Sequence, residues 1–341
     1  MRGRIESQLK LEKKIEEKID RERPMLRPYY YSIAFMSHTT KERYIDKLIF
    51  FLDYCEKKYG YSLRDEKDCG QITTDNLNEF INSYSKKSDG TGYLAPGTVC
   101  FMIAILTSFF NYLCNDKRLF DVNPTARMGK RPKIPKKTEI IALEPEEVQQ
   151  LFYNIDHTQG SFINPTVRRK WKSRDRAFFS ILLVTGVRET ALFEANMEDL
   201  FMEERYIVLT DKGNKTRRYD FDDDMADIIG RWLRRRERLL EGKPCDYLFF
   251  NLRKGLPIRL TDVTMNQILK DYTGFTDKNI TCHKLRSTGG TMVYRSTHDI
   301  YKVADFLNHS NVSTSQIYAQ QDSDNRKKAS SLMSGIITGK Q

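Results

Sequence analysis

Six side chains in the C-terminal half of the 341-residue chain could together hold and cut a phosphodiester: Arg188, Lys212, His283, Arg286, His309 and Tyr318. His283 and Arg286 stand three apart in Cys282-His283-Lys284-Leu285-Arg286, a spacing that puts both on one face of a helix. A guanidinium fork grips two phosphate oxygens, and an imidazole beside it can take or give a proton near neutral pH. His309 closes Leu307-Asn308-His309, and Tyr318 closes Gln316-Ile317-Tyr318, with Ser313-Thr314 between them as a helix start. The chemistry that unites two imidazoles, arginine and a phenol is attack of tyrosine on a bound phosphodiester.

Two upstream segments must bring the remaining cations to that place. An apolar helix over 178–184 runs into Thr185-Gly186-Val187-Arg188, a Gly turn that delivers one arginine. Asp211-Lys212-Gly213-Asn214-Lys215 lies between strand-like runs over 205–210 and 216–221. Gly-Asn is a hairpin-turn signal, so Lys212 is expected on a β-hairpin.

In this order and with these gaps, the motifs Thr185-Gly186-Val187-Arg188, Asp211-Lys212-Gly213-Asn214-Lys215, His283-Lys284-Leu285-Arg286 and Leu307-Asn308-His309…Tyr318 resemble the tyrosine recombinase (phage integrase) family. Two positions depart from the family pattern. Asn308 stands where the family has Gly, and Ala191 stands three after Arg188 where an acidic residue is common, while Glu189 lies next to Arg188.

The resemblance implies a site-specific recombinase that forms a 3′-phosphotyrosyl link at Tyr318 and then reseals it with a second strand. Arg188, Arg286 and His309 would hold the phosphate, His283 would take the tyrosine proton, and Lys212, or else Lys215, would protonate the leaving 5′ oxygen. No metal, ATP or other cofactor is called for. The implied partners are duplex DNA carrying recombination sites, a homo-tetramer on synapsed DNA, and an accessory DNA-bending or directionality factor. The charged N-terminus favours integration or excision of a mobile genetic element. The competing readings are a type IB topoisomerase, chromosome or plasmid dimer resolution, and a non-catalytic DNA-binding regulator.

Composition agrees with a polyanion partner, since the formal net charge is +11. The six cysteines form no C-x-x-C pair, which argues against a disulfide framework or zinc site and for a reducing cytoplasm. No apolar run is expected to reach the ~20 residues that span a membrane, and the charged N-terminus lacks a signal-peptide core.

The expected fold class is mainly α with a small antiparallel β-hairpin or sheet (α+β). A helical core-binding domain precedes a tyrosine-recombinase catalytic domain. Residues 1–36 read as a charged N-terminal extension with a sparse stripe of Ile5, Leu9, Ile15 and Ile19, either a solvated tail or an arm for a partner or DNA. Residues 37–123 read as a helical bundle, with a helix opening at Thr39, a second over 74–85 and an apolar one from about Thr98. A linker over 124–142 carries Arg127, Lys130, Arg131, Lys133, Lys136 and Lys137, expected to lie with Lys215 along a phosphate backbone. The catalytic domain spans 143–325, with a polar loop over 156–172 and helices over 177–184, 225–240 and 261–269. The tail, 326–341, has apolar residues for docking on its own domain or a neighbouring subunit.

Overall fold

The computed structural model describes residues 2–135, 139–211, 215–309 and 311–320. Lys136, Lys137, Lys212 and the 326–341 tail lie outside the described residues. The chain divides into two compact units, Met1–Lys136 and Lys137–Gln341.

The first unit is helical: α1 (Arg2–Glu22), α2 (Arg27–Ser32), α3 (His38–Tyr59), α4 (Thr74–Ser85) and α5 (Pro96–Asn115). Residues 2–36 are not an appendage, which corrects the expectation of a solvated tail or an arm for a partner or DNA. Ile15 and Ile19 of α1 are buried, as are Met25, Leu26, Tyr29 and Tyr30, in one core with Phe51, Phe80, Phe109 and Phe110. The apolar stripe is narrow, and the charges flanking it find partners on α3. Lys14 reaches Glu42 at 2.9 Å, Lys18 reaches Asp46 at 2.6 Å, and Arg23 bridges Glu56 at 2.7 Å. Such pairing needs two elements distant in sequence, so periodicity in α1 alone did not reveal it.

α3 begins before Thr39 because Ser37 is its cap, its hydroxyl accepting from the Thr40 N–H at 3.3 Å. α5 corrects a second expectation: at 20 residues it is long and apolar enough to cross a membrane by length and composition. Met102, Ile105, Leu106, Phe109, Phe110 and Leu113 of this helix are buried in the unit's core, so its all-round apolarity is that of a central packed helix. The stretch expected to be a basic interdomain linker is partly docked here too. Thr74 Oγ1 donates to the Pro124 carbonyl at 3.0 Å, and the Gly129 N–H donates to Asn78 Oδ1 at 3.1 Å. Arg127, Lys130, Arg131 and Lys133 remain exposed on this seam.

The second unit contains α6 (Pro145–His157), α7 (Pro165–Thr185), α8 (Glu189–Glu194), β1 (Leu200–Phe201), β2 (Tyr206–Asp211), β3 (Lys215–Asp220), α9 (Asp223–Leu240), β4 (Phe250–Arg253), β5 (Leu256–Arg259), α10 (Asp262–Tyr272), α11 (Cys282–Thr297), α12 (Ile300–Phe306) and α13 (Gln316–Gln320). The sheet order is β1-β2-β3, all antiparallel, with Asp211 opposite Lys215, Leu209 opposite Arg217 and Ile207 opposite Tyr219. The expected polar loop over 156–172 is helix from Pro165 onward. Asn164 caps it by accepting from the Val167 N–H at 3.1 Å, and Pro165 occupies the first turn. Of the basic residues there, Arg169, Lys170 and Lys172 are exposed, whereas Arg168 turns in to pair with Asp175, and Trp171, Arg174 and Asp175 are buried. The β4–β5 hairpin was not anticipated. Its two-residue turn, Lys254-Gly255, holds φ of +51° and +75°, and the Gly was the available signal.

α7 is central to this unit, with α9, α11 and α6 packed against it. Its close approach to α11 depends on glycine: a Cβ at Gly289 would lie 2.6 Å from the Leu183 carbonyl oxygen. A polar cluster sits inside this core. Asp175, fully buried, accepts from Arg174 Nε at 3.0 Å, Arg168 Nη2 at 2.9 Å and the Tyr272 hydroxyl at 3.2 Å.

Candidate active site

A cleft of about 430 Å³ in the second unit is lined by Ile140, Arg188, His283, Arg286, Ser287, Leu307, His309, Thr314, Ile317 and Tyr318. It therefore gathers five of the six residues expected to do chemistry, and Lys212 lies outside the described residues. Separate local devices deliver them. Gly186, at φ +58°, ends α7, and Arg188 follows as the cap residue of α8. His283 and Arg286 project from the first turns of α11, which Thr281 caps. The chain after α12 turns through Asn308 at φ +47° to present His309. The family's Gly position thus needs the left-handed region, and Asn is among the non-glycine residues that enter it most readily. His309 itself lies between α12 and a short 3-10 turn (Val312–Ser315), not on the helix that carries Tyr318.

The electrostatics of the cleft favour an anion. Arg286 is only 2% exposed, and its Nη2 donates to the Leu307 carbonyl while its Nη1 has no hydrogen-bond partner. A buried, unmatched guanidinium N–H is costly unless something accepts from it. Burial, with the neighbouring Arg188 cation, pushes the Arg286 guanidinium below its ordinary value. Arg188 is ion-paired to Asp211, a nearly fully buried carboxylate at the end of β2.

Burial, then the cations Arg286 and Arg188, push His309 down to about 4. It is therefore neutral at pH 7, with Nδ1 2.9 Å from the buried Ser315 hydroxyl. The folded value lies below the unfolded one of about 6.5, so the unfolded chain binds this proton more readily. Its contribution to stability is full above about pH 6.5 and is lost as pH falls toward about 4. The expected outcome is that wild type loses more unfolding free energy between about pH 7 and 5 than His309→Gln does in urea titrations. Equal losses, or a His309 ring resonance titrating near pH 6.5, would contradict this.

Tyr318 is 7% exposed. Burial raises its hydroxyl above the ordinary tyrosine value, while a hydrogen bond with Ser287 and the Arg286 cation act the other way. Its ring lies on Gly290 of α11, where a Cβ would come within 3.1 Å of the Tyr318 ring and 2.9 Å of Leu307 Cδ1. Gly290, Ser287 and Ser315 are the supporting residues that sequence reasoning missed. The Gly289-Gly290 pair within a helical pattern was the one signal pointing to close approach. Glu189, beside Arg188, has a buried Oε2 without a hydrogen-bond partner and adds its charge to the field at Arg286. Of the other basic residues named from sequence, Lys215 is exposed at the start of β3. Arg127, Lys130, Arg131 and Lys133 belong to the first unit.

Residues 142–325 match the phage integrase family. The chain is 28% identical over 313 residues to the tyrosine recombinase XerC of Caldanaerobacter subterraneus subsp. tengcongensis, covering 88% of this chain and 83% of that one. Among solved structures it is similar to XerH site-specific recombinase bound to palindromic difH substrate in a post-cleavage complex, at TM-score 0.63 and 22% identity, covering 87% of this chain and 83% of that chain. It is similar also to the Tn1549 transposon integrase in complex with transposon right end DNA, at TM-score 0.61 and 18% identity, covering 90% and 97%. The structural likenesses show the fold, and the match across more than half of the chain decides membership: this protein belongs to the phage integrase family of tyrosine recombinases, which are DNA strand-transferring enzymes.

Proposed function

We propose that this protein is a site-specific recombinase that cuts and rejoins DNA through a covalent link between Tyr318 and a 3′ phosphate. The observation that carries the reading is the convergence of Arg188, His283, Arg286, His309 and Tyr318 on one cleft. The unpartnered Nη1 of Arg286 supplies a donor that a phosphate oxygen would satisfy.

In this reading Arg188 and Arg286 neutralise the phosphodiester and the extra charge of its five-coordinate transition state. Neutral His309, held by Ser315 at Nδ1, donates from Nε2 to a non-bridging oxygen. His283 takes the Tyr318 proton as the phenol oxygen bonds to phosphorus. The bond from phosphorus to the 5′ oxygen breaks, and Lys212 gives that oxygen a proton. The products are a 3′-phosphotyrosine and a 5′-hydroxyl. Attack by the hydroxyl of another strand reverses the chemistry, with no energy source required. The exposed Arg127, Lys130, Arg131, Lys133 and Lys215 serve as phosphate contacts. Four copies on two synapsed duplexes complete the scheme, with an accessory factor setting direction.

The biological use is a separate question. The mobile-element expectation rested on a charged N-terminal appendage, and α1 is instead packed into the first unit. Likeness in fold to the Tn1549 transposon integrase supports that use. Sequence likeness to XerC over most of the chain supports chromosome dimer resolution, and we favour it. A topoisomerase would act on one duplex alone, so joining of strands between two duplexes separates it from a recombinase.

The chemistry is tested with duplexes selected for binding, nicked so that cleavage cannot reverse, in the presence of chelator. A denaturant-resistant adduct is expected, with its nucleotide remnant mapped to the Tyr318 peptide. Tight binding without an adduct, or attachment at another residue, would sink the proposal and leave a binding-only protein.

A further inference from the structure

We infer that Arg217 of β3 and Asp305 of α12 form a positioning clamp that sets where the β2–β3 hairpin stands over the phosphate site. The inference rests on the reading above, in which hairpin residue Lys212 protonates the leaving oxygen.

Arg217 meets Asp305 three times. Its Nη2 donates to both carboxylate oxygens at 3.0 Å, and its Nη1 donates to the Asp305 backbone carbonyl at 2.6 Å. One nitrogen shared by both carboxylate oxygens and a second on the backbone carbonyl hold the guanidinium at two points of the same residue, which fixes direction as well as distance. The pair is partly solvated, with side chains 36% and 74% exposed, so it adds little to stability. Its geometric consequence is larger than its energetic one.

Both ends of the clamp lead straight to the cleft. The Asp305 carbonyl also accepts from the Asn308 N–H at 3.0 Å, closing the turn that presents His309. Leu307, in the same turn, accepts from Arg286. On the hairpin side, Arg217 and Tyr219 lie on the face of β3 turned toward the protein, opposite Leu209 and Ile207. The Arg217 guanidinium stands 5.8 Å from the Tyr219 ring, and Tyr219 is within the field of Asp211, Arg286 and Arg188. The neighbouring strand ends at Asp211, which is paired with Arg188. The hairpin is thus tied at β2 to one phosphate-binding arginine and at β3 to the turn that holds the other. Lys212 follows Asp211 directly in the chain.

The clamp belongs to leaving-group protonation, and a substrate that needs no such proton exposes it. A duplex with sulfur replacing the bridging 5′ oxygen expels a weakly basic thiolate. Asp305→Asn and Arg217→Gln are expected to slow single-turnover cleavage of the ordinary duplex by roughly 10- to 100-fold, the scale of an ångström-sized misplacement. DNA affinity and melting temperature should stay at wild-type values. On the sulfur-bridged duplex the deficit should shrink to within about 3-fold of wild type, since the missing proton no longer matters. The charge swap Arg217→Asp with Asp305→Arg should recover part of the ordinary rate. An equal deficit on both duplexes, no deficit at all, or a loss explained by weaker binding overturns the clamp. Lys212→Ala on the same pair of duplexes separates the two claims. If sulfur does not rescue it, the assignment of Lys212 as acid fails, whatever the clamp variants do.

Discussion

Tyr318→Phe is expected to bind its duplex as wild type does and to form no covalent adduct. The substitution removes one oxygen and leaves the ring. That ring is packed beside Gly290 and Leu307, where a Cβ at Gly290 would already lie 3.1 Å from it, so Phe keeps the shape of the floor of the cleft. The hydroxyl removed is a buried one that faces Ser287, so its loss costs folding little. Folding and DNA affinity should therefore survive, and the effect should fall wholly on the nucleophile. Gel shift and the chelated nicked-duplex assay, run on the same preparation, read the two quantities independently. Persistent adduct in the variant would mean another nucleophile does the work. Loss of binding together with the adduct would mean the phenol oxygen holds DNA instead of attacking it.

The second large effect lies away from the cleft. Asp175→Ala is expected to destabilise the second unit by about 3–5 kcal/mol, because it strands buried positive charge. Asp175 and Arg174 are both fully buried. The carboxylate accepts from Arg174 at 2.7 and 3.0 Å, from Arg168 at 2.9 Å and from Tyr272 at 3.2 Å. Without it Arg174 keeps Asn251, the Phe250 carbonyl and the face of Trp171 at 4.6 Å, none of which carries a compensating charge. Asp175→Asn retains one acceptor and should cost less. The chain has two tryptophans, and both Trp171 and Trp232 sit in the second unit, so fluorescence follows that unit alone. A fall in melting temperature of roughly 10 °C is the expected reading. A change of only a degree or two would mean that the two arginines find other partners or water once the carboxylate is gone.

The ordered set of chemical groups was legible in the sequence because each motif is short-range. Gly186 must end a helix, Thr281 must start one, and residues 283 and 286 then share its face wherever that helix goes. The apolar periods of α3, α4 and α5 likewise placed a helical bundle before the chemistry. Legibility failed where a partner distant in the chain decides the outcome. α1 carries too few apolar residues to announce itself as core, and only its packing against the first unit's other helices buries Ile15 and Ile19. The basic start of α7 reads as loop until Trp171 and Arg174 are seen to be buried and Arg168 to turn in toward Asp175. Composition made α5 a membrane-length apolar helix, and the helices around it account for that apolarity. Within the cleft, sequence named the reacting groups but not their supports. Gly290 matters only because Tyr318 returns to lie on it, and Ser315 only because His309 turns toward it. The resting poise of the site, with Arg286 half-satisfied, His309 neutral and Arg188 tied to Asp211, comes from burial and from charges set side by side by folding. Residue order along the chain contains neither quantity, because both depend on how much water the packed elements exclude.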